Sequence, residues 1–271
     1  KNTFNWIASE LPLNSEAIAA VDIALHDLWA KSQKKTLVDA LGKKHQSFNT
    51  SITIGVSSLE KTIEMAKKHI GNGFSILKIK IGDCVEEDIE RMKALFELKP
   101  EKIKIRVDAN RGYSKEQLIK FYDETLDLGL ELIEQPMEVD QNSEMLYFPE
   151  EIRKICVADE SLQNFDHAVR LVQEPKPFGV FNIKLMKCGG IFTARKIAAL
   201  AHENDIKLMW GCFDESKLSI SAALHTALSC ENTQYIDLDG FFDLGWDLVE
   251  GGYTCENGIM SVIEKPGLGA Y

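Results

Sequence analysis

The sequence lacks the marks of several common protein classes. It has no C-x-x-C pair; Cys84, Cys156, Cys188, Cys212, Cys230 and Cys255 stand singly in or near apolar segments. That pattern argues against a disulfide framework and for buried free thiols in a reducing cytoplasm. There is no H-E-x-x-H motif, and His26, His45, His69, His167, His202 and His225 read as structural or surface groups. Basic charge is scarce: 31 Lys+Arg against 42 Asp+Glu leave a net charge of -11. That balance disfavours nucleic acid and anionic membranes as partners, though not an anionic small molecule at a locally positive site. No apolar run is long enough to span a bilayer. Glu10, Pro12, Asn14 and Glu16 break up the stretch where a signal peptide needs an apolar core. The chain opens on Lys1 rather than Met, which points to a preceding segment.

What is present is a repeat. The 271 residues, 45% hydrophobic and 27% charged, suit one large domain, or one domain plus a fragment. Eight β-rich segments begin at residues 51, 76, 104, 130, 156, 180, 207 and 235, so their starts lie 24 to 28 residues apart. Stretches of helical period separate most of them, such as Leu59, Ile63, Ala66 and Ile70, or Ile197, Leu200 and Ala201. The link at 142–154 carries the weakest helical pattern. Strand–helix alternation implies a parallel α/β sheet. Eight such units suit a TIM-like (β/α) barrel better than an open doubly wound sheet, which wants a Gly-rich fingerprint after the first strand. Outside the repeat, 15–31 predicts a helix capped by Asn14 or Ser15, with Ile18, Val21, Leu25 and Leu28 on its buried face. Residues 250–271 predict a turn-rich tail with a short strand near 259–263. Both pieces read as remnants of a second domain.

Barrel strands bury both faces and should be apolar throughout. Here six of the eight carry charges at or near their C-terminal ends: Lys78 and Lys80, Asp108, Glu134, Asp159 and Glu160, Lys184, and Asp237 with Asp239. That end is where barrel enzymes place their chemistry. Asp108, Glu134 and Asp159 lie on three consecutive strands about 4.8 Å apart, so at one level they can converge on one cation. All-oxygen ligation with few protein ligands suits Mg2+. Lys78 and Lys80 share a strand face, and Lys184 comes from nearly the opposite side. Burial, mutual repulsion and a nearby cation should lower these lysines towards neutrality, where a lysine acts as a base. Two such bases on opposite faces of a metal-held carboxylate suggest 1,1-proton transfer through an enediolate: racemisation or epimerisation.

At these residues the chain resembles the enolase superfamily, in its muconate lactonizing subgroup. The resemblance rests on K-x-K (78–80), D-x-N (108–110), E-Q-P (134–136), A-D-E (158–160) and N-I-K-L-M-K-C-G-G (182–190), in that order and spacing, and on the helical stretch 20–42. It implies a (β/α)7β barrel over 46–249. Residues 1–45 would be the end of an N-terminal capping domain with its linker helix, and 250–271 a tail packed on that α+β domain. It implies that Asp108, Glu134 and Asp159 bind Mg2+, that Lys80 and Lys184 are the acid/base pair, and that Lys78 supports Lys80. Asn110 and Glu160 would stand behind the ligands.

The D-x-D at Asp237–Asp239 resembles the signature of dipeptide epimerases of the L-Ala-D/L-Glu epimerase type. Two carboxylates on one face suit the α-ammonium of a dipeptide whose carboxylate lies on the metal, so the C-terminal residue would be the one inverted. The alternatives are o-succinylbenzoate synthase or N-acylamino acid racemase chemistry, which leaves that pair unexplained, a sugar-acid dehydratase, and an inactive metal-binding barrel. Phe213, Asp214 and Glu215 would line the pocket, whereas Met186 and Met209 read as core. The sequence leaves self-association open.

Overall fold

A computed structural model describes residues 2–11 and 14–271; Lys1, Pro12 and Leu13 lie outside it. Eight strands form one sheet in strict chain order. They are β1 (Ile52–Ile54), β2 (Ile76–Lys80), β3 (Lys104–Asp108), β4 (Leu132–Glu134), β5 (Cys156–Ala158), β6 (Val180–Ile183), β7 (Lys207–Gly211) and β8 (Thr233–Asp237). The registers given by their backbones are parallel, as in β2–β3 and β4–β5. Thr50, just ahead of β1, pairs in parallel with Ile236 of β8, and its Oγ1 accepts the Leu238 N–H at 2.9 Å. The sheet therefore returns to its own first edge as a barrel does.

The connecting helices are α1 (Leu59–Gly71), α2 (Val85–Leu98), α3 (Lys115–Thr125), α4 (Glu150–Arg153), α5 (Phe165–Leu171), α6 (Ile191–Glu203) and α7 (Lys217–Ala227). Their starts are locally encoded. Ser58 caps α1, Asn164 caps α5, and Ser114 with Gln117 forms a full capping box on α3. The weak link after β4 resolves into a 3-10 segment, Val139–Tyr147, and the one-turn α4 beginning after Pro149. Pro149 stands at the N-cap, where its fixed φ suits the start of a helix. Among the described residues no α-helix follows β8; the 3-10 turn Gly240–Asp243 comes next.

Contacts divide the chain into two compact units. One comprises Ser51–Ser161 with Gln173–Phe181; the other comprises Lys1–Thr50, Leu162–Val172 and Asn182–Tyr271. The first holds β1 to β5, buried in a core of Ile54, Leu77, Ile79, Ile105, Val107 and Ile133. The second holds β7, β8 and the Ser15–Ser32 helix, capped by Asn14, whose side chain accepts the Ala17 N–H at 2.8 Å.

That helix buries a different face from the one its large residues mark. Ala19, Asp22, Ile23 and Ala30 are buried, while Val21, Leu25 and Leu28 remain 38%, 39% and 64% exposed. Small side chains let the helix lie close to the Leu185–Cys188 turn and α6, and Asp22 there accepts the Phe192 N–H at 3.2 Å. The tail forms an antiparallel sheet in which Ile259–Val262 pairs with both Tyr253–Glu256 and Phe48–Asn49. It is stitched to the helix through Leu268 N–H to Asp27 Oδ1 at 2.8 Å. Among the described residues no helix is long and apolar enough to cross a membrane.

Candidate active site

Within the first unit, register brings the predicted groups together. Lys80 pairs with Asp108, and Asp108 with Glu134, so these three stand level on adjacent strands. Asp159 does not. Glu134 pairs with Val157, so Asp159 lies two residues further on, just past the end of β5. The offset is the stagger a barrel imposes on its strands. Asp159 is nevertheless near enough for its charge to act on Asp108.

All three carboxylates are buried. The Lys78 ammonium, also buried, lies 3.0 Å from Asp108 Oδ2 and 2.7 Å from Glu134 Oε2. Lys80 Nζ, partly exposed, donates to Asp108 Oδ2 and to Asn110 Oδ1, each at 2.7 Å. Burial pushes the Asp108 carboxyl up, but Lys78 and Lys80 outweigh it and hold the group below its ordinary range. Three buried carboxylates and two ammonium groups thus meet in a low-dielectric place, where each charge is costly unless it is paired. Among the described residues no trio of acidic, His or Cys side chains is gathered at ligating distance; the Lys78 ammonium stands between Asp108 and Glu134.

Two supports surround this core. Asn110, with φ 42°, turns back so that its N–H donates to Asp108 Oδ1 at 3.0 Å, and its Nδ2 reaches Glu160 Oε1 at 3.4 Å. Gln135, quoted in the E-Q-P motif but given no role there, is fully buried. Its Oε1 accepts the N–H groups of Asp159 and Ser161 at 3.1 and 3.0 Å, while its Nε2 donates to Ser161 Oγ and the Met137 carbonyl. One side chain thus straps the end of β4 to the loop that carries Asp159. The available signal was a polar residue between a strand-end carboxylate and a proline.

The second unit carries the other predicted residues. Lys184 follows β6, partly buried, with Nζ 4.8 Å from the centroid of the exposed Phe213 ring. Asn182, two residues earlier, is fully buried beside Gly211, where a Cβ would come within 2.5 Å of its Oδ1. Glu215 accepts the Phe213 N–H at 2.9 Å and the Ser219 hydroxyl. Burial raises its carboxyl, against these bonds and the charge of Lys184. A cavity of about 440 Å3 opens here, lined by Ala20, Asp27, Met186, Glu215 and Leu218 among others. Met186 therefore lines a cavity, whereas Met209 is core. Asp237 ends β8, buried; Asp239 lies past the strand, at the start of the 3-10 turn, so alternation does not place it. Both carboxylates nevertheless act on Cys212, whose thiol is pushed up by burial and then by the charges of Asp239 and Asp237.

Comparison with known proteins adds identity to this geometry. The family model "Enolase C-terminal domain-like" matches residues 61–271. The chain is 51% identical over 253 residues to the L-Lys-D/L-Arg epimerase of Desulforapulum autotrophicum, covering 93% of this chain and 71% of that protein. It is 36% identical over 258 residues to the L-Ala-D/L-Glu epimerase of Clostridium acetobutylicum, covering 94% and 72%. The crystal structure of a dipeptide epimerase from Methylococcus capsulatus complexed with Mg and the dipeptide L-Arg-D-Lys superposes with a TM-score of 0.97 at 44% identity, covering 99% of this chain and 76% of that one.

Proposed function

The chain belongs to the enolase C-terminal domain-like family, and on that premise we propose that it is a Mg2+-dependent dipeptide epimerase acting on the α-carbon of the C-terminal residue. The observation that carries the reading is the buried set Asp108, Glu134 and Asp159 with Lys78 and Lys80 among them. An oxygen-only set of three carboxylates at neighbouring strand ends fits a hard divalent cation. Asp108, Glu134 and Asp159 would hold it, and the bound ion supplies positive charge that makes the substrate's α-proton more acidic.

The remaining chemistry is the chain's own. Lys80 Nζ, held by Asp108 and Asn110, moves the α-proton on one face. Lys184 Nζ moves it on the other. Lys78 keeps Asp108 and Glu134 in place and adds positive charge beside Lys80. Asn110 and Glu160 steady these groups from behind. Asp237 and Asp239 take the substrate's α-ammonium by charge-assisted bonds.

The favoured substrates are cationic dipeptides. Support comes from the higher identity to the L-Lys-D/L-Arg enzyme than to the L-Ala-D/L-Glu enzyme, and from the net charge of -11, which draws cations in. We also assign residues 1–45 to the end of a capping domain with its linker helix, 250–271 to a tail packed on it, consistent with the bond between Leu268 and Asp27, and 46–249 to the barrel. Six free thiols support a cytoplasmic setting, and the net charge of -11 disfavours nucleic acid and anionic membranes as partners.

The test is a dipeptide library incubated in deuterated water with Mg2+ and read by mass spectrometry. Deuterium should enter Lys- and Arg-containing dipeptides first. Faster uptake by N-acetylated or N-succinylated amino acids would replace this reading with an acylamino acid racemase.

A further inference from the structure

Behind the turns that carry Lys80 and Asn110 lies a buried polar cluster that the mechanism above does not use. Asp88 of α2 is fully buried. Its Oδ2 accepts two hydrogen bonds, from the Gly82 N–H at 2.9 Å and from the Tyr113 hydroxyl at 2.6 Å. Its Oδ1 pairs with the buried Arg91 guanidinium, whose Nη1 donates to the Ser57 carbonyl at 3.2 Å. One carboxylate thus joins α2 to the turns that follow β2 and β3, and its partner Arg91 reaches the turn after β1.

Gly82 is two residues beyond Lys80, and Tyr113 is three beyond Asn110. The two turns also touch directly. A Cβ on Gly112 would lie 2.4 Å from the Gly82 carbonyl oxygen, and one on Gly82 would lie 2.4 Å from that of Ala109. Lys80 spans this contact to reach Asp108 and Asn110. For stability alone, a buried ionic cluster is often matched by well-packed apolar side chains. What this one adds is geometry, since a single oxygen fixes donors from two loops at once.

We propose that Asp88 is a positioning residue for proton transfer at Lys80, holding the β2 and β3 turns so that the lysine stays aligned with Asp108 and Asn110. The proposal rests on Lys80 being one of two bases, and it deepens that reading. A displacement of about 1 Å at a reacting group can cost roughly 100-fold in rate. The Asp88 bonds reach the turns after β2 and β3, with Arg91 extending them to the turn after β1, and do not include the β6 end that carries Lys184, so the loss should fall on one half of the reaction.

The experiment uses Asp88→Asn and Tyr113→Phe in the full chain with Mg2+, with Lys80→Ala identifying the epimer that Lys80 serves. Exchange of the α-proton with deuterated water is measured from each epimer separately. Exchange from the Lys80 epimer should fall roughly 10- to 100-fold, and exchange from the other should stay within about twofold. Equal losses from both epimers would mark a general structural role and overturn the proposal. Acylation of lysines by an activated acetate ester, mapped by peptide mass spectrometry, gives a readout free of substrate. Lys80 should acylate several-fold faster in the variants, and Lys184 at an unchanged rate. Tyr113→Phe keeps its ring in the core, so it serves even where Asp88→Asn fails to fold. Unchanged Lys80 acylation in Tyr113→Phe would overturn the clamp whatever the substrate. A wild type that exchanges no dipeptide would overturn the functional reading, while acylation still decides the clamp.

Discussion

Lys80 and Asp108 are register partners on neighbouring strands, and the lysine Nζ lies 2.7 Å from Asp108 Oδ2. Lys78 approaches the same oxygen at 3.0 Å. A single buried carboxylate oxygen therefore holds two ammonium groups, one of which also neutralises Glu134. Stability and catalysis meet at this point, because the groups that balance the buried charge are the ones assigned to chemistry.

Replacing Lys78 by Met should expose that balance. Asp108 and Glu134 would be left buried and adjacent without their bridge, at a cost of roughly 3–5 kcal/mol. In EDTA the melting temperature should fall on the order of 10 °C. Added Mg2+ should restore much of it, because the ion brings the missing positive charge. Thermal melts with and without Mg2+ decide this; an equal loss in both would count against cation binding by Asp108, Glu134 and Asp159.

Chelation of the wild type should separate activity from folding. Exhaustive removal of Mg2+ should stop deuterium uptake while circular dichroism stays unchanged, since the apolar core does not depend on the ion. Asp108→Asn, Glu134→Gln and Asp159→Asn should each weaken Mg2+ binding at least tenfold in calorimetric titration. Activity that survives chelation would sink the metal assignment.

The two lysines should split the reaction between them. Lys80→Ala and Lys184→Ala should each abolish epimerisation yet leave exchange from one epimer, with opposite preference. Single-epimer incubations in deuterated water, followed by mass spectrometry, report this directly. A variant that still interconverts both epimers at near wild-type rate would remove its lysine from the pair.

The strands were legible because buried parallel segments must be apolar, so charges such as Lys78, Asp108 and Glu134 stood out against Ile79, Val107 and Ile133. The offset of Asp159 was not legible, because segment spacing records chain length and not the stagger between strands. The linker helix misled for a related reason. Its large residues form the visible stripe, but close packing went to Ala19 and Ala30. Gln135 was hidden by distance along the chain, and Asp88 by its local setting. Gln135 finds its partners 24 and 26 residues away, and Asp88 looks locally like one more acid in the first turn of a helix that begins Val-Glu-Glu-Asp.

Asp237 should matter to the substrate's amino terminus. Losing a charge-assisted bond and leaving its partner unpaired should cost roughly 10- to 1000-fold in kcat/KM. Asp237→Asn and N-acetylation of the dipeptide should each produce such a loss, and the two should not add, since both remove one interaction. Steady-state kinetics on the four enzyme–substrate combinations test it; fully additive losses would place Asp237 elsewhere.

The last expectation concerns pH and lies away from the chemistry. His225 of α7 is fully buried; its Nδ1 accepts the Val38 N–H at 3.0 Å, and its Nε2–H points to the Leu268 carbonyl at 3.2 Å. Only the neutral ring can accept from Val38 and donate to Leu268 together. Burial accordingly lowers its pKa from 6.5 to about 4. The folded value lies below the unfolded one, so the unfolded chain binds more protons between them. The contribution of His225 is therefore complete above about pH 6.5 and is lost as pH falls towards 4, on the order of 3 kcal/mol in all. His225→Gln should be less stable at pH 7.5, having lost this fitted bridge between α7, the Leu37–Leu41 helix and the tail. Its stability should nevertheless decline less steeply from pH 6.5 to 4.5, because glutamine does not titrate. Urea unfolding at several pH values gives both slopes, and parallel lines for wild type and variant would show that His225 is not the group that titrates.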